Sequence, residues 1–179
     1  MFLLRMLMRK GSGREMDPLQ VSMTGVRMGE RFLQIGCSDK ALLAGLASKV
    51  GLSGTAVVAA HDAADAKLAA TIARKVGALI EITEVDLNHE WPFDQSAFDM
   101  VVVDDTASKF WGFDDLTAVL RKALGSVRPG GRIEVVSKID TPHEKVDFVQ
   151  RLQDAGFKPV RVLAERGGLR FVEGLRPAG

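Results

Sequence analysis

The chain has 179 residues, 46% of them hydrophobic, and a formal net charge of +1. That length and apolar content suit one domain with a sizeable core and exclude a disordered chain. The near-neutral charge supplies no whole-protein field for nucleic acid or an anionic membrane, and the single cysteine, Cys37, excludes an internal disulfide and a cysteine-rich metal site. A reducing, cytoplasmic setting is the simplest expectation.

The first ten residues, MFLLRMLMRK, are apolar but interrupted by Arg5, too short to span a bilayer, and without a small-residue cleavage site. They read as a helical arm docked on the body or on a neighbouring subunit, which would make a homo-oligomer or a partner protein; a weak membrane-surface contact is the alternative. KGSGR at 10–14 is flexible and polar. The expected division is therefore an arm over 1–15 and one domain over 16–179.

Met16-Asp17-Pro18 reads as a helix start, with Asp17 as N-cap and Pro18 at the first helical position, and Gly25 as its stop. A first strand begins at Arg31. Leu42, Leu43, Leu46 and Val50 share one face of the next helix, which Gly51 closes. A second strand over 55–60 ends at His61-Asp62, and Leu68, Ile72 and Val76 mark the following helix, closed by Gly77. The third strand, over 79–85, ends at Asp86, and 88–97 reads as a loop. The nearly continuous apolar run at 98–103 has the composition of a strand buried on both faces, and it ends in Asp104-Asp105.

Leu116, Val119, Leu120, Ala123 and Val127 then mark a helix, Pro129-Gly130-Gly131 a tight turn, and 133–136 a fifth strand. A helix is expected over 142–155. Two last strand-like runs, 159–165 and 169–173, are separated only by Arg166-Gly167-Gly168, too short for a crossover helix, so they form an antiparallel hairpin. Strand–helix repeated five times and then a hairpin places the chain in the α/β class.

The centre of this arrangement is RFLQIGCSDKALL at 31–43, a strand, a turn at Gly36 and a helix start. A glycine there lets a ligand approach the backbone, and the helix offers it unpaired N–H groups and a positive dipole end. Ligands of open α/β sheets sit beyond the carboxyl ends of the strands.

The order and its punctuation resemble the class I S-adenosylmethionine-dependent methyltransferases over nearly the whole chain after the arm. The opening turn is similar to their first motif, a strand with an acidic residue leading into G-x-G-x-G. WPFDQSAFDMVV at 91–102 resembles the proline–phenylalanine stretch of small-molecule methyltransferases acting on quinones and related metabolites. LGSVRPGGR at 124–132 resembles the turn before strand five, and LQDAGFKPV at 152–160 with its hairpin resembles the antiparallel last strand. The resemblance implies a Rossmann-like three-layer αβα sandwich with a mostly parallel sheet of about seven strands and an antiparallel C-terminal hairpin. It also implies S-adenosylmethionine as cofactor and a small-molecule methyl acceptor.

Carried over residue by residue, Gly36 matches the first glycine, with Cys37 and Ser38 in the next turn positions. Asp39 stands where a second glycine is expected, the third is missing, and Gln34 replaces the acidic residue. Gln34 can still accept a hydrogen bond but gives up its charge-assisted part. Asp39 either crowds the cofactor or supplies the missing negative charge. The resemblance puts a ribose-binding acid at His61 or Asp62; Asp62 reads equally as the N-cap of the next helix, and His61 as a solvent-exposed loop histidine. Asp86 matches the position that contacts the adenine amino group, Leu87 would line the base, and Asp104 with Asp105 would face cofactor and substrate.

Methyl transfer from an activated sulfonium depends largely on alignment and water exclusion, so no Ser–His–Asp set is required, and no catalytic residue is identified. Cys37 has no histidine base, because His89 and His143 lie in separate contexts, and it reads as a packing residue. The aromatic residues Trp91, Phe93, Phe110, Trp111 and Phe113 either flank a flat substrate or anchor loops. No convincing set of oxygen ligands for a metal stands out, nor a basic stripe for nucleic acid. The alternative function, suggested by Gln34, Asp39 and the arm, is a fold that has lost transfer and serves as a binding or partner subunit. A nicotinamide oxidoreductase would lack its three-glycine fingerprint here.

Overall fold

The computed structural model describes residues 16–110, 115–139 and 146–179. The apolar arm and its linker, Trp111, Phe113, His143 and the expected helix start at Pro142 lie outside the described residues. In chain order the elements are α1 (Pro18–Met23), β1 (Arg31–Ile35), α2 (Lys40–Val50), β2 (Thr55–Ala60), α3 (Ala63–Val76), β3 (Ile80–Glu84), β4 (Phe98–Asp105), α4 (Leu116–Ser126), β5 (Val127–Lys138), α5 (Phe148–Ala155), β6 (Val160–Arg166) and β7 (Leu169–Leu175).

Each of these helices starts on an aspartate whose carboxylate accepts a backbone N–H of the first turn: Asp17, Asp39, Asp62, Asp115 and Asp147. Such a cap satisfies a donor that the helix itself leaves open and places negative charge at the positive dipole end. At α1 it is reciprocal, since the Gln20 side chain returns to the Asp17 N–H. Asp115→Ala, at a residue that does not line the strand-end cleft, is expected to lower stability by about 1 kcal/mol in urea unfolding.

The strands form one seven-stranded sheet in the order β3-β2-β1-β4-β5-β7-β6. β1 to β5 run parallel, and β7 runs antiparallel to both β5 and β6. Helices α1, α2 and α3 cover one face through Val21, Leu42, Leu46 and Ile72 against Phe32, Val58 and Val102. Helices α4 and α5 cover the other through Val119, Leu120 and Leu152 against Leu33, Val101 and Val135. From β1 the chain steps outward to β3, then returns past β1 to β4. The switch point between β1 and β4 opens the crevice at the carboxyl ends of the strands.

The loop expected over 88–97 is present, so strand–helix repeats four times rather than five: 85–97 is irregular and is anchored by Trp91 and Phe93, whose rings pack edge-on at 6.3 Å, with Phe93 5.7 Å from Phe98. Two boundaries also need correction. β5 begins at Val127, because Val127 already pairs with Phe98 and the Pro129-Gly130-Gly131 turn becomes an irregularity inside the strand. A Cβ at Gly131 would lie 2.7 Å from the Asp99 carbonyl oxygen, so only glycine lets the two backbones pass. Finally, Val146 and Asp147 are not helical, and α5 spans Phe148–Ala155 on the Asp147 cap, shorter than the described part of the expected helix over 142–155.

Candidate functional site

The turn after β1 is held from three directions. Gly36 has φ +76°, which a side chain disfavours, and a Cβ there would lie 3.4 Å from the Asp104 carbonyl oxygen and 3.6 Å from the Phe110 ring. The open side of the glycine is therefore covered by Phe110, itself only 1% exposed. Gln34 is wholly buried; its Nε2 donates to the Gly36 carbonyl at 3.1 Å, while its Oε1 is buried without a hydrogen-bond partner. Gly36→Ala is expected to cost about 1–2 kcal/mol in urea unfolding through left-handed strain.

Asp104 latches this turn to the end of β4. Its Oδ2 accepts the N–H groups of Ser38 and Asp39, each at 2.8 Å, and its Oδ1 accepts the Thr106 N–H at 3.1 Å and hydroxyl at 2.6 Å. Burial raises the carboxyl pKa, and the four donors oppose that rise. The Asp39 carboxylate turns back onto its own helix, Oδ1 accepting from Ala41 at 2.8 Å and Leu42 at 3.4 Å. Cys37 is 1% exposed and burial pushes its thiol up to about 12, so it is a packing residue rather than a nucleophile.

Beyond the ends of β2 and β3 lies a cleft of about 450 Å³ lined by His61, Asp62, Glu84, Asp86, Leu87 and neighbouring backbone. Its size falls in the range of small-molecule sites. Asp62 lines the cleft and also caps α3, accepting the Asp65 N–H at 2.8 Å, so its two expected roles are not exclusive. Asp86 accepts the Asn88 N–H at 2.9 Å and meets His89 Nδ1 at 2.7 Å; the first contact, then the second, holds its carboxyl below the usual range. Leu87 is 2% exposed and forms the apolar base of that end of the cleft.

His61 is not the solvent-exposed loop residue that one reading expected. Its side chain is 15% exposed, with Nδ1 2.5 Å from Asp65 Oδ2 and its ring centroid 6.0 Å from that of Phe110. Lys109 completes the cluster, donating to Asp62 Oδ2 at 3.2 Å and Asp65 Oδ1 at 3.0 Å. Burial would raise the Asp65 pKa, but the His61 and Lys109 contacts outweigh it and hold the carboxyl low. His61, Asp62 and Asp65 offer ligand atoms within 4.8 Å of one another, a set the spacing did not disclose, and the Lys109 ammonium is the cation held against both carboxylates.

At the end of β4, burial pushes the Asp105 carboxyl up to about 6. Its Oδ1 accepts the Phe110 N–H at 3.0 Å, and its strand neighbour on β5 is Ser137.

The structure thus brings Gln34, Gly36, Cys37, Ser38, Asp39 and Asp104 to one turn, and His61, Asp62, Asp86 and Leu87 to the cleft beyond β2 and β3. Sequence reasoning missed Asp65 and Lys109 and left Phe110 unplaced. Asp65 had a usable signal, four residues after His61 at a helix start. Lys109 had none, since it reaches the cluster from a loop 44 residues further along the chain.

Comparison with known proteins agrees with this geometry. A family described as a methyltransferase domain matches residues 33–135, more than half of the chain. Comparison with curated protein sequences returns no match. Among solved structures, a SAM-dependent methyltransferase from Aquifex aeolicus superposes with a TM-score of 0.74 at 19% identity, over 89% of each chain. A SAM-dependent O-methyltransferase from Thermotoga maritima gives 0.67 at 17% identity, over 92% of this chain and 67% of that one. An arsenic(III) S-adenosylmethionine methyltransferase from Chlamydomonas reinhardtii gives 0.61 at 18% identity, over 85% and 64%. At these identities the likeness establishes the shared fold, and the second and third are named for different acceptors, an oxygen and arsenic(III). With the fold, the strand-end cleft and the match over 33–135 in agreement, the chain belongs to the methyltransferase-domain family.

Proposed function

We propose that this protein transfers a methyl group from S-adenosylmethionine to a small molecule, holding the adenosyl half of the cofactor in the cleft beyond β2 and β3. The observation that carries this reading is the placement of two carboxylates, Asp62 and Asp86, on neighbouring strand ends around a 450 Å³ cleft beside the Gly36 turn. A carboxylate on a short stem can accept from both ribose hydroxyls, which suits Asp62, and Asp86 can accept from the adenine amino group, over Leu87. When bound, the cofactor supplies a methyl group on a sulfonium that is already a good leaving group. The protein then has to align the acceptor, exclude water and receive any proton the acceptor loses.

Asp105 is the group placed for that last task, at the strand end where the switch-point crevice opens. Acting as a base it must be ionised, so kcat/KM is expected to rise with pH through about 6 and to lose that rise in Asp105→Asn. A flat profile in the wild type would remove Asp105 from this role. The single buried cysteine suits a reducing cytoplasm, the setting we propose. Among the described residues no helix is long and apolar enough to cross a membrane.

Calorimetric titration with S-adenosylmethionine and S-adenosylhomocysteine tests the proposal: micromolar binding supports it, with a drop of about tenfold in Asp86→Ala for one lost charged contact. A second reading has its own observation. The Ser38 and Asp39 amides are taken by Asp104, and the β2 end is neutralised by Lys109. Backbone amides already taken up by the protein suit a fold that no longer transfers methyl groups, and absence of binding at millimolar ligand would select that reading.

A further inference from the structure

The segment that follows β4 lies across the end of the site where the second half of the cofactor belongs. We infer that residues 106–110 form an internal strap that fills the amino-acid half of the cofactor site, leaving only the nucleoside half open. The inference rests on the proposed function above and concerns how that same site is regulated.

Two side chains form the obstruction. Phe110 stands against the open face of Gly36, 3.6 Å from where a Cβ would be, and approaches His61 at 6.0 Å. A side chain on that glycine would meet the ring at its first carbon, so the ring stands about one carbon beyond the glycine, over the turn along which a ligand would run. Lys109 lays its ammonium between Asp62 and Asp65, so that one carboxylate facing the cleft is already paired with a cation. The strap is tied down at its base: Phe110 donates its N–H to Asp105 Oδ1, and the Ser108 N–H reaches the Asp105 carbonyl at 2.9 Å. Ser108 takes φ 55°, a left-handed backbone that a serine adopts at a cost, which opening would release. Neither Phe110 nor Lys109 lines the cleft formed by 60–63 and 84–88.

Two distinct consequences follow for ligands. Adenosine needs only the open cleft, so its affinity is nearly independent of Phe110, and Lys109 affects it only through its pairing with Asp62. S-adenosylhomocysteine needs Phe110 and Lys109 to leave together, so its observed affinity is its intrinsic affinity multiplied by the small fraction of molecules that are open. Opening also frees Asp105 Oδ1 from the Phe110 amide, which couples cofactor entry to exposure of the proposed base.

The test is calorimetric titration of adenosine and of S-adenosylhomocysteine into the wild-type protein, Phe110→Ala and Lys109→Ala. Phe110 is a core residue whose truncation threatens the fold, so the surface-reachable Lys109 provides the second variant, and circular dichroism checks both. The expected result is that both variants bind S-adenosylhomocysteine about tenfold or more tightly than the wild type, while adenosine affinity stays within about twofold in Phe110→Ala and rises by less than that of S-adenosylhomocysteine in Lys109→Ala, which also frees Asp62. Equal gains for both ligands, unchanged affinities or a loss confined to S-adenosylhomocysteine would overturn the strap, the last by making Lys109 and Phe110 part of the binding surface. Absence of binding by either ligand to all three proteins would instead overturn the functional reading on which the strap rests.

Discussion

Glu134→Gln is expected to raise the stability of the fold by about 3 kcal/mol at pH 7 and to flatten its dependence on pH. Glu134 sits in the middle of β5, wholly buried, with both carboxylate oxygens lacking a hydrogen-bond partner. Burial first, and then the neighbouring Glu173 charge, push its pKa from 4.5 up to about 9, against weaker opposition from Arg132 and Arg161. Below pH 4.5 the carboxyl is protonated whether the chain is folded or not. Above it the unfolded chain releases the proton and the folded chain keeps it, so the fold loses stability steadily until about pH 9, where the folded state ionises too. A glutamine has the same shape and no proton to hold. Urea unfolding of both proteins from pH 4 to pH 9 reads the effect directly; parallel curves would mean that Glu134 is ionised and compensated in the fold.

Asp104→Asn is expected to act in the opposite direction, costing about 3 kcal/mol. The substitution preserves volume but turns one acceptor oxygen into an amide donor. Either Ser38 and Asp39 or Thr106 then face a donor with donors of their own. The latch between the first turn and the end of β4 comes apart, and hydrogen exchange should lose protection first at the Ser38, Asp39 and Thr106 amides. Thr106→Val removes a single hydroxyl from the same carboxylate and should cost only about 1 kcal/mol. If Asp104→Asn unfolds at the wild-type urea concentration, the four hydrogen bonds hold nothing together that packing does not already hold. The same substitution releases backbone amides at the start of α2, so ligand titration on it distinguishes a latch that merely stabilises from one that withholds those amides.

The two residues also mark a boundary between what a one-dimensional pattern carries and what it does not. Asp104 was legible as an acid at the end of a buried strand, because a continuous apolar run followed by a carboxylate is a local signal. That it would turn onto the Ser38 and Asp39 amides, 66 and 65 residues earlier, was not, because the approach is made by strand pairing between β1 and β4. Glu134 was unremarkable in an apolar run. Only the register Gln34–Val102–Glu134–Glu173 across the sheet shows that it lies in a buried row beside another acid.

Local chemistry determined the elements themselves. Asp17 and Asp62 cap helices as their local sequence allows, Gly51, Gly77 and Gly156 stop them, and apolar runs of strand length make the sheet, since capping, backbone freedom and burial act over a few residues. Asp39 reads in the sequence only as a cofactor position, and its cap on α2 emerges with the structure. The three-residue link at Arg166-Gly167-Gly168 required an antiparallel hairpin for the same local reason. Tertiary structure alone decided that β5 begins at Val127, since its pairing with Phe98 supplies the hydrogen bonds. It alone decided that Phe110 covers Gly36 and that Lys109 pairs with both Asp62 and Asp65. Those contacts join segments far apart in the chain, and whether a charged or aromatic side chain meets a partner depends on which strand ends the sheet brings side by side.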